Sequence, residues 1–202
     1  MSEFAEADWE PHSVDVGEFP YELTPDELAN ACRRAYLRLV LGAHIGWGKI
    51  ELARWLTGPY RRLTVREAWD EPPPSMAIAN DVASGLDERI TAVLETMRFD
   101  VLLVLRELMT VEGRAAFTTL AFDTNLVARV HEGDGPLVLP CARPRMSLTD
   151  RVLSLVAVDA LARPEDFEHS LFICSRCDQP VFDVASRPRA ICRAHVSGIE
   201  RT

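Results

Sequence analysis

The chain has 202 residues, 48% of them hydrophobic, and its 31 Asp and Glu against 22 Lys and Arg leave a net charge of −9. That length supports one sizeable core with a small accessory module, and the negative balance argues against broad nonspecific attraction to DNA or to an anionic membrane. No run approaches the roughly eighteen apolar residues of a membrane span. The first twenty residues carry Glu3, Glu6, Asp8, Glu10, Asp15 and Glu18 and no apolar stretch, unlike a secretory signal, so the expected location is the cytoplasm. Lys49 is the sole lysine beside 21 arginines, a bias that fits a GC-rich bacterial genome.

Residues 1–22 are acidic, contain Pro11, Gly17 and Pro20, and show no helical periodicity, which predicts a flexible arm. Order is expected to begin at Thr24-Pro-Asp-Glu27, a capping box with proline in the first helical turn. The helix beyond it should run to about Leu41. It would bury Leu28, Ala31, Cys32, Ala35, Tyr36 and Leu39 and leave Arg33, Arg34 and Arg38 outside the stripe.

Gly42 to Lys49 departs from a phosphate-binding loop. Five residues rather than four separate its outer glycines, and Ile50 stands where a Mg²⁺-binding hydroxyl belongs. His44 there reads as structural. Ile50–Leu56 and Leu63–Trp69 are two short amphipathic segments flanking Thr57-Gly-Pro-Tyr60, and Arg61, Arg62 and Arg66 suit phosphates. These features raise a helix-turn-helix reading, against which stand Pro59, the long connection and the acids Glu67, Asp70 and Glu71.

Pro72-Pro-Pro74 imposes a break. Asp81 to about Met109 is helix-compatible, with Leu86, Ile90, Val93, Leu94 and Met97 at core spacing, and the run Val101-Leu-Leu-Val-Leu105 predicts the hub of the core. Beyond Gly113 the texture predicts a three-stranded β-meander at about 115–140, from Ala116–Phe122, Leu126–Val130 and Pro136–Leu139. Asp123, His131 and Glu132 form the one polar cluster that an enzyme reading would nominate, although they fall where turns are expected. Ser147-Leu-Thr-Asp150 caps a last helix to about Ala162, and the short stretch to His169 implies that the C-terminal segment packs on the helical body.

The most specific feature lies near the end. Cys174-Ser-Arg-Cys177 is succeeded fourteen residues later by Cys192-Arg-Ala-His195. Two residues between paired ligands let a tight turn aim both at one tetrahedral ion, and the intervening segment is long enough to bring the second pair back. Buried core thiols or a disulfide leave unexplained why three of the five cysteines fall inside nineteen residues beside a histidine. A redox dithiol would open a helix, which Asp178-Gln-Pro180 disfavours. Three thiolates and one imidazole saturate Zn²⁺, so a structural site is expected at Cys174, Cys177, Cys192 and His195. His169 is nearby, but His195 has the better spacing.

Around these ligands, Leu171–Ile173, Pro180–Val184 and Arg189–Ile191 are expected as strands. The segment 170–197 resembles the zinc ribbons, with His195 where many members have a fourth cysteine. The resemblance implies nucleic-acid binding, protein contacts or structural stapling, and fold likeness does not choose among them.

The sequence therefore predicts an α+β chain in three parts: the arm 1–22, a mainly helical domain 23–165 with a small antiparallel β-meander, and a C-terminal zinc-ribbon module 166–202 holding one structural Zn²⁺. The expected function is that of a noncatalytic regulatory or adaptor protein acting through protein–protein contacts. The ribbon's Arg176, Arg187, Arg189 and Arg193 are candidates to contact an acidic protein or nucleic acid, and the alternative function is a DNA-binding transcriptional regulator using residues 50–69 and the ribbon.

Overall fold

The computed structural model describes residues 23–66, 87–132, 135–142 and 146–196. The expected acidic arm, the triple-proline break, Glu67 to Asp81 and the turn at 133–134 lie outside the described residues. The described part is mostly helical, with a three-stranded sheet and, near the C-terminus, a two-stranded antiparallel one.

Helix α1, Pro25–His44, starts where its cap requires. The Thr24 hydroxyl accepts the Glu27 amide proton, and Glu27 Oε2 accepts from the Thr24 amide at 2.8 Å. The predicted stripe is buried apart from half-buried Ala31, with Leu28, Cys32, Tyr36 and Leu39 fully enclosed. Helix α2, Lys49–Trp55, does not end at a tight turn. It passes through a π-helical turn, Leu56–Tyr60, into a last helical turn, Arg61–Leu63, with Trp55, Tyr60 and Arg61 all in the right-handed helical region. Pro59 has no N–H to donate, and the wider turn absorbs it without breaking the chain direction. Over the described residues, the two helices expected across 50–69 are thus one continuous irregular helix that ends at Leu63. Trp55 anchors it, its indole N–H bonded to the Ala35 carbonyl at 2.8 Å and its ring stacked on Tyr60.

The predicted meander is corrected in two ways. Residues Val111–Asp123 form helix α4, which comes after helix α3, Asp87–Glu107. The cause is a cap. Thr110 Oγ1 accepts from the Gly113 amide at 3.0 Å, and Phe117 and Ala121, four apart, give the helix its buried edge. Only strands β2, Val127–Glu132, and β3, Gly135–Ala142, pair antiparallel, with Val127 opposite Pro140 and Glu132 opposite Gly135. The third strand of that sheet is β1, Val65–Arg66, which pairs parallel with β3 at Cys141 and Ala142. A segment expected to extend a helix instead completes the sheet.

Helix α3 is unbroken through Arg98-Phe-Asp100, but it is not the hub. Leu103 is 43% exposed and Val93 47%, while Val101, Leu102 and Leu105 are buried. The centre is helix α5, Leu148–Ala162, capped as predicted by Ser147 and Asp150, with ten of its residues buried and α1, α3, α4 and the hairpin packed around it. A helix enclosed on nearly all sides must bury its polar residues as well, and Asp159, Ser154 and Arg151 are all enclosed. The short helix α6, Pro164–His169, leads from α5 into strand β4, Leu171–Ile173, which pairs antiparallel with β5, Pro180–Phe182.

Candidate metal centre

The two-stranded ribbon ends in the first knuckle. Cys174 donates its amide proton to the Gln179 carbonyl, and Asp178 donates back to the Cys174 carbonyl, both at 2.9 Å. Asp178 takes a left-handed conformation, φ 50°, which folds Cys174 and Cys177 onto one side of the turn. The segment expected as a third strand, Arg189–Ile191, is not one. Arg187–Arg189 is a 3₁₀ turn ended by a left-handed Ala190, whose carbonyl accepts the Ser175 amide proton at 2.9 Å. That bond lays the second knuckle beside the first, and a tight turn from Cys192 O to His195 N presents the last pair. Arg193–Val196 continues as one helical turn, α7.

The four predicted side chains converge. Their ligand atoms lie within 4.8 Å of one another. Cys177 Sγ is 4.0 Å from Cys192 Sγ, and His195 Nδ1 is 3.7 Å from Cys174 Sγ and 3.1 Å from Cys192 Sγ. An ion bonded at about 2.3 Å to sulfur and 2.0 Å to nitrogen sets tetrahedral edges of about 3.5–3.8 Å, which these separations bracket. The set can hold one metal ion with four protein ligands. His169 ends α6, exposed and outside the converging group.

The thiols are not equivalent. Burial pushes the Cys174 thiol up, but amide protons from Cys192, Arg176 and Cys177 and the His195 ring outweigh it, and the result is about 6. The Cys192 amide lies 3.4 Å from Cys174 Sγ. Cys177 is raised by burial and by the neighbouring thiols to about 12. One sulfur is prepared as a thiolate, and a cation bound here would displace the proton of the next to water, linking metal binding to proton release.

Three contacts that the sequence did not reveal hold the β4–β5 hairpin and the first knuckle to the helices. Arg98 of α3 donates to the Asp178 carbonyl at 3.1 Å. Phe182 of β5 meets Phe167 of α6 edge-on, with ring centroids 5.2 Å apart. Arg33, expected on the solvent side of α1, turns inward and places its guanidinium 3.8 Å from the Phe182 ring centroid. The same guanidinium pairs through Nε and Nη2 with Asp159, at 2.8 and 2.9 Å, and through Nη1 with Asp166 at 2.8 Å. Asp159 also accepts from Tyr36 Oη at 2.8 Å and Arg163 Nη2 at 2.6 Å. Within the module, Asp183 Oδ2 accepts from Ser186 and from Arg193, fastening the long loop to the second knuckle. The Asp183-x-x-Ser186 spacing was a readable sign of that turn. Nothing local marks Arg33, because its partners are 126 and 133 positions away.

The other nominated residues separate. Asp123 ends α4, exposed, while His131 and Glu132 sit at the hairpin end of β2, with side chains outside the described residues. Arg61 and Arg62 belong to the closing turn after α2, and Arg66 to β1, its side chain likewise outside the described residues. Arg176 and Arg189 face solvent, Arg187 is half-buried, and Arg193 is exposed while paired with Asp183 at 2.9 Å. Cys32 is enclosed among the apolar side chains of α1, and burial raises its thiol. Among the described residues no helix is long and apolar enough to cross a membrane. No protein-family model matches this chain, and neither a curated protein nor a solved structure matches it at a significant level.

Proposed function

We propose that the chain is a noncatalytic regulatory or adaptor protein whose C-terminal segment is a zinc ribbon binding one structural Zn²⁺ through Cys174, Cys177, Cys192 and His195. One observation carries the reading: three sulfurs and one imidazole nitrogen lie within 4.8 Å of one another. Three soft thiolates favour zinc over the hard cations, and four protein ligands fill a tetrahedral zinc and leave no position for a substrate or an activated water. The metal would staple a module too small to bury a core of its own, and the exposed Arg176 and Arg189 give it a cationic surface for an acidic partner protein. Protein contacts are preferred to DNA recognition because Arg61 and Arg62 close a continuous helix instead of opening a recognition helix.

Metal analysis of protein purified without chelator should give one zinc per chain, and Co²⁺ substitution should give the absorption of a tetrahedral three-thiolate site. Structural zinc sites supply about 10–16 kcal/mol over four ligands, so Cys192→Ser, removing about 3 kcal/mol, should weaken zinc binding by roughly a hundredfold. Protein with no tightly held metal, or an octahedral cobalt spectrum, defeats the reading.

A further inference from the structure

Charge is distributed along this chain far less evenly than its total suggests. Residues 31–66 contain eight of its 22 Lys and Arg but only one of its 31 Asp and Glu, Glu51, so this stretch carries +7 and the remainder −16. Arg33 is spent on Asp159 and Asp166. Of the others, Arg34, Arg38, Arg54 and Arg61 lie along two helical stripes that meet at the α1–α2 turn. On α1, Arg34, Arg38, Leu41 and Ile45 repeat at spacings of four, three and four, and all are exposed. On α2 and its continuation, Ile50, Arg54 and Thr57 are exposed and Arg61 half-buried, at the same spacings. No ion pair engages Arg34, Arg54 or Arg61 among the described residues.

The apex between the stripes is apolar. Ile45 is 65% and Ile50 56% exposed. Trp47, between Gly46 and Gly48, lies half-buried against α1. A Cβ at Gly42 would come within 2.2 Å of its indole, so the glycine is what lets the ring lie on the helix, and the Arg38 guanidinium stands 5.9 Å from the ring centroid. Two protruding isoleucines and a tryptophan ringed by arginines suit a surface that is apolar inside and anionic at its rim.

We propose that the α1–α2 corner docks on an anionic phospholipid bilayer, with Ile45 and Ile50 entering the headgroup–acyl boundary and the arginines of both stripes binding headgroup phosphates. This goes beyond the zinc-ribbon reading and stands on different residues. The overall charge of −9 weakens long-range attraction, but a docked corner responds to the charge near it, where exposed Glu51 is the one acid within residues 31–66. Screening confines interactions between exposed charges to about 8 Å at physiological salt, and α1, at ~1.5 Å per residue, extends its acidic first turn some 30 Å from the corner. A nucleic acid would meet the same cations, but it offers no apolar phase for two exposed isoleucines; its binding is an outcome of the test.

The full-length, metal-loaded protein is to be sedimented with vesicles of phosphatidylcholine alone or with 30 mol% phosphatidylglycerol. Binding is expected only with phosphatidylglycerol and should weaken as salt rises. Replacing Arg34, Arg54 and Arg61 together by Gln should lower the partition coefficient roughly a hundredfold, at about fivefold per charge near the surface. Ile45→Ser/Ile50→Ser should lower it by more than about tenfold at constant charge. All of these side chains are outside the core, so unchanged circular dichroism and metal content will separate lost docking from lost folding. Equal sedimentation with both vesicle types overturns the proposal. So does wild-type vesicle binding by the isoleucine variant, or loss of the three arginines abolishing oligonucleotide binding while vesicle binding is unaffected.

Discussion

Removing the Asp159 carboxylate is the sharpest test of how α1, α5 and α6 are joined. Asp159 is fully buried and accepts four hydrogen bonds: two from Arg33, one from Tyr36 and one from Arg163. In Asp159→Ala the Arg33 guanidinium, only 13% exposed, keeps one partner, Asp166, and Tyr36 Oη is left enclosed without an acceptor. Breaking a buried pair by deleting one partner costs about 3–5 kcal/mol, and an orphaned buried hydroxyl costs about 1–3 kcal/mol. The two are coupled through the same carboxylate and do not simply add, so a loss of about 4 kcal/mol is expected. For a chain of this size that is a fall in Tm of about 8–16 °C. Urea unfolding followed by circular dichroism on metal-loaded protein measures it, with Asp166→Ala as the control. Asp166 is 41% exposed and its ion pair is solvated, so its loss should cost no more than about 1 kcal/mol. If Asp159→Ala loses under about 1 kcal/mol, or no more than the control, the buried network is not what joins α1, α5 and α6.

Gly113→Ala should destabilise although alanine is the better helix former. A Cβ there would lie 2.1 Å from the Glu107 carbonyl oxygen, which is backbone and cannot swing away. The overpacking cost of roughly 1–3 kcal/mol should exceed the helix-propensity gain of about 1 kcal/mol, and a raised urea midpoint would count against this. Stability should also fall at alkaline pH. Burial raises the Cys32 thiol, and raises the phenols of Tyr36, beside the Asp159 carboxylate, and of Tyr60. In the unfolded chain these groups ionise near pH 8.5 and 10, so the folded state holds protons that the unfolded state has lost. Their contribution is complete below about pH 8.5 and is lost above it, by up to about 1.4 kcal/mol per pH unit for each group. Urea midpoints at pH 8, 9 and 10 should decline, with Cys32→Ala removing the thiol's share, and a flat profile would refute the linkage.

The Cys174–His195 cluster and the starts of helices α1 and α5 were legible because their signals are local. A capping box spans four residues, as at Thr24–Glu27 and Ser147–Asp150, and a knuckle spans four, so both are decided by side chains that reach their own backbone or each other across one turn. Helix α4 was misread for the converse reason. Ala116–Phe122 is a short apolar run, which periodicity alone assigns equally well to a strand, and the Thr110 cap that decides it lacks the acidic residue of a full capping box. Likewise Arg189–Ile191 reads as a strand until the left-handed Ala190 is seen to accept from Ser175.

What the order of residues determined by itself was the start of α1 and α5 and the spacing of Cys174, Cys177, Cys192 and His195, a set that could hold a metal ion. Only the tertiary structure decided that these four atoms meet, that Val65 and Arg66 join the hairpin in parallel, and that Arg33 faces inward to Asp159 and Phe182. The physical reason is range: a cap or a knuckle closes over bonds that the chain itself keeps close. A buried carboxylate and a guanidinium 126 positions apart find each other only because packing around α5 excludes water and leaves protein groups to satisfy each of them.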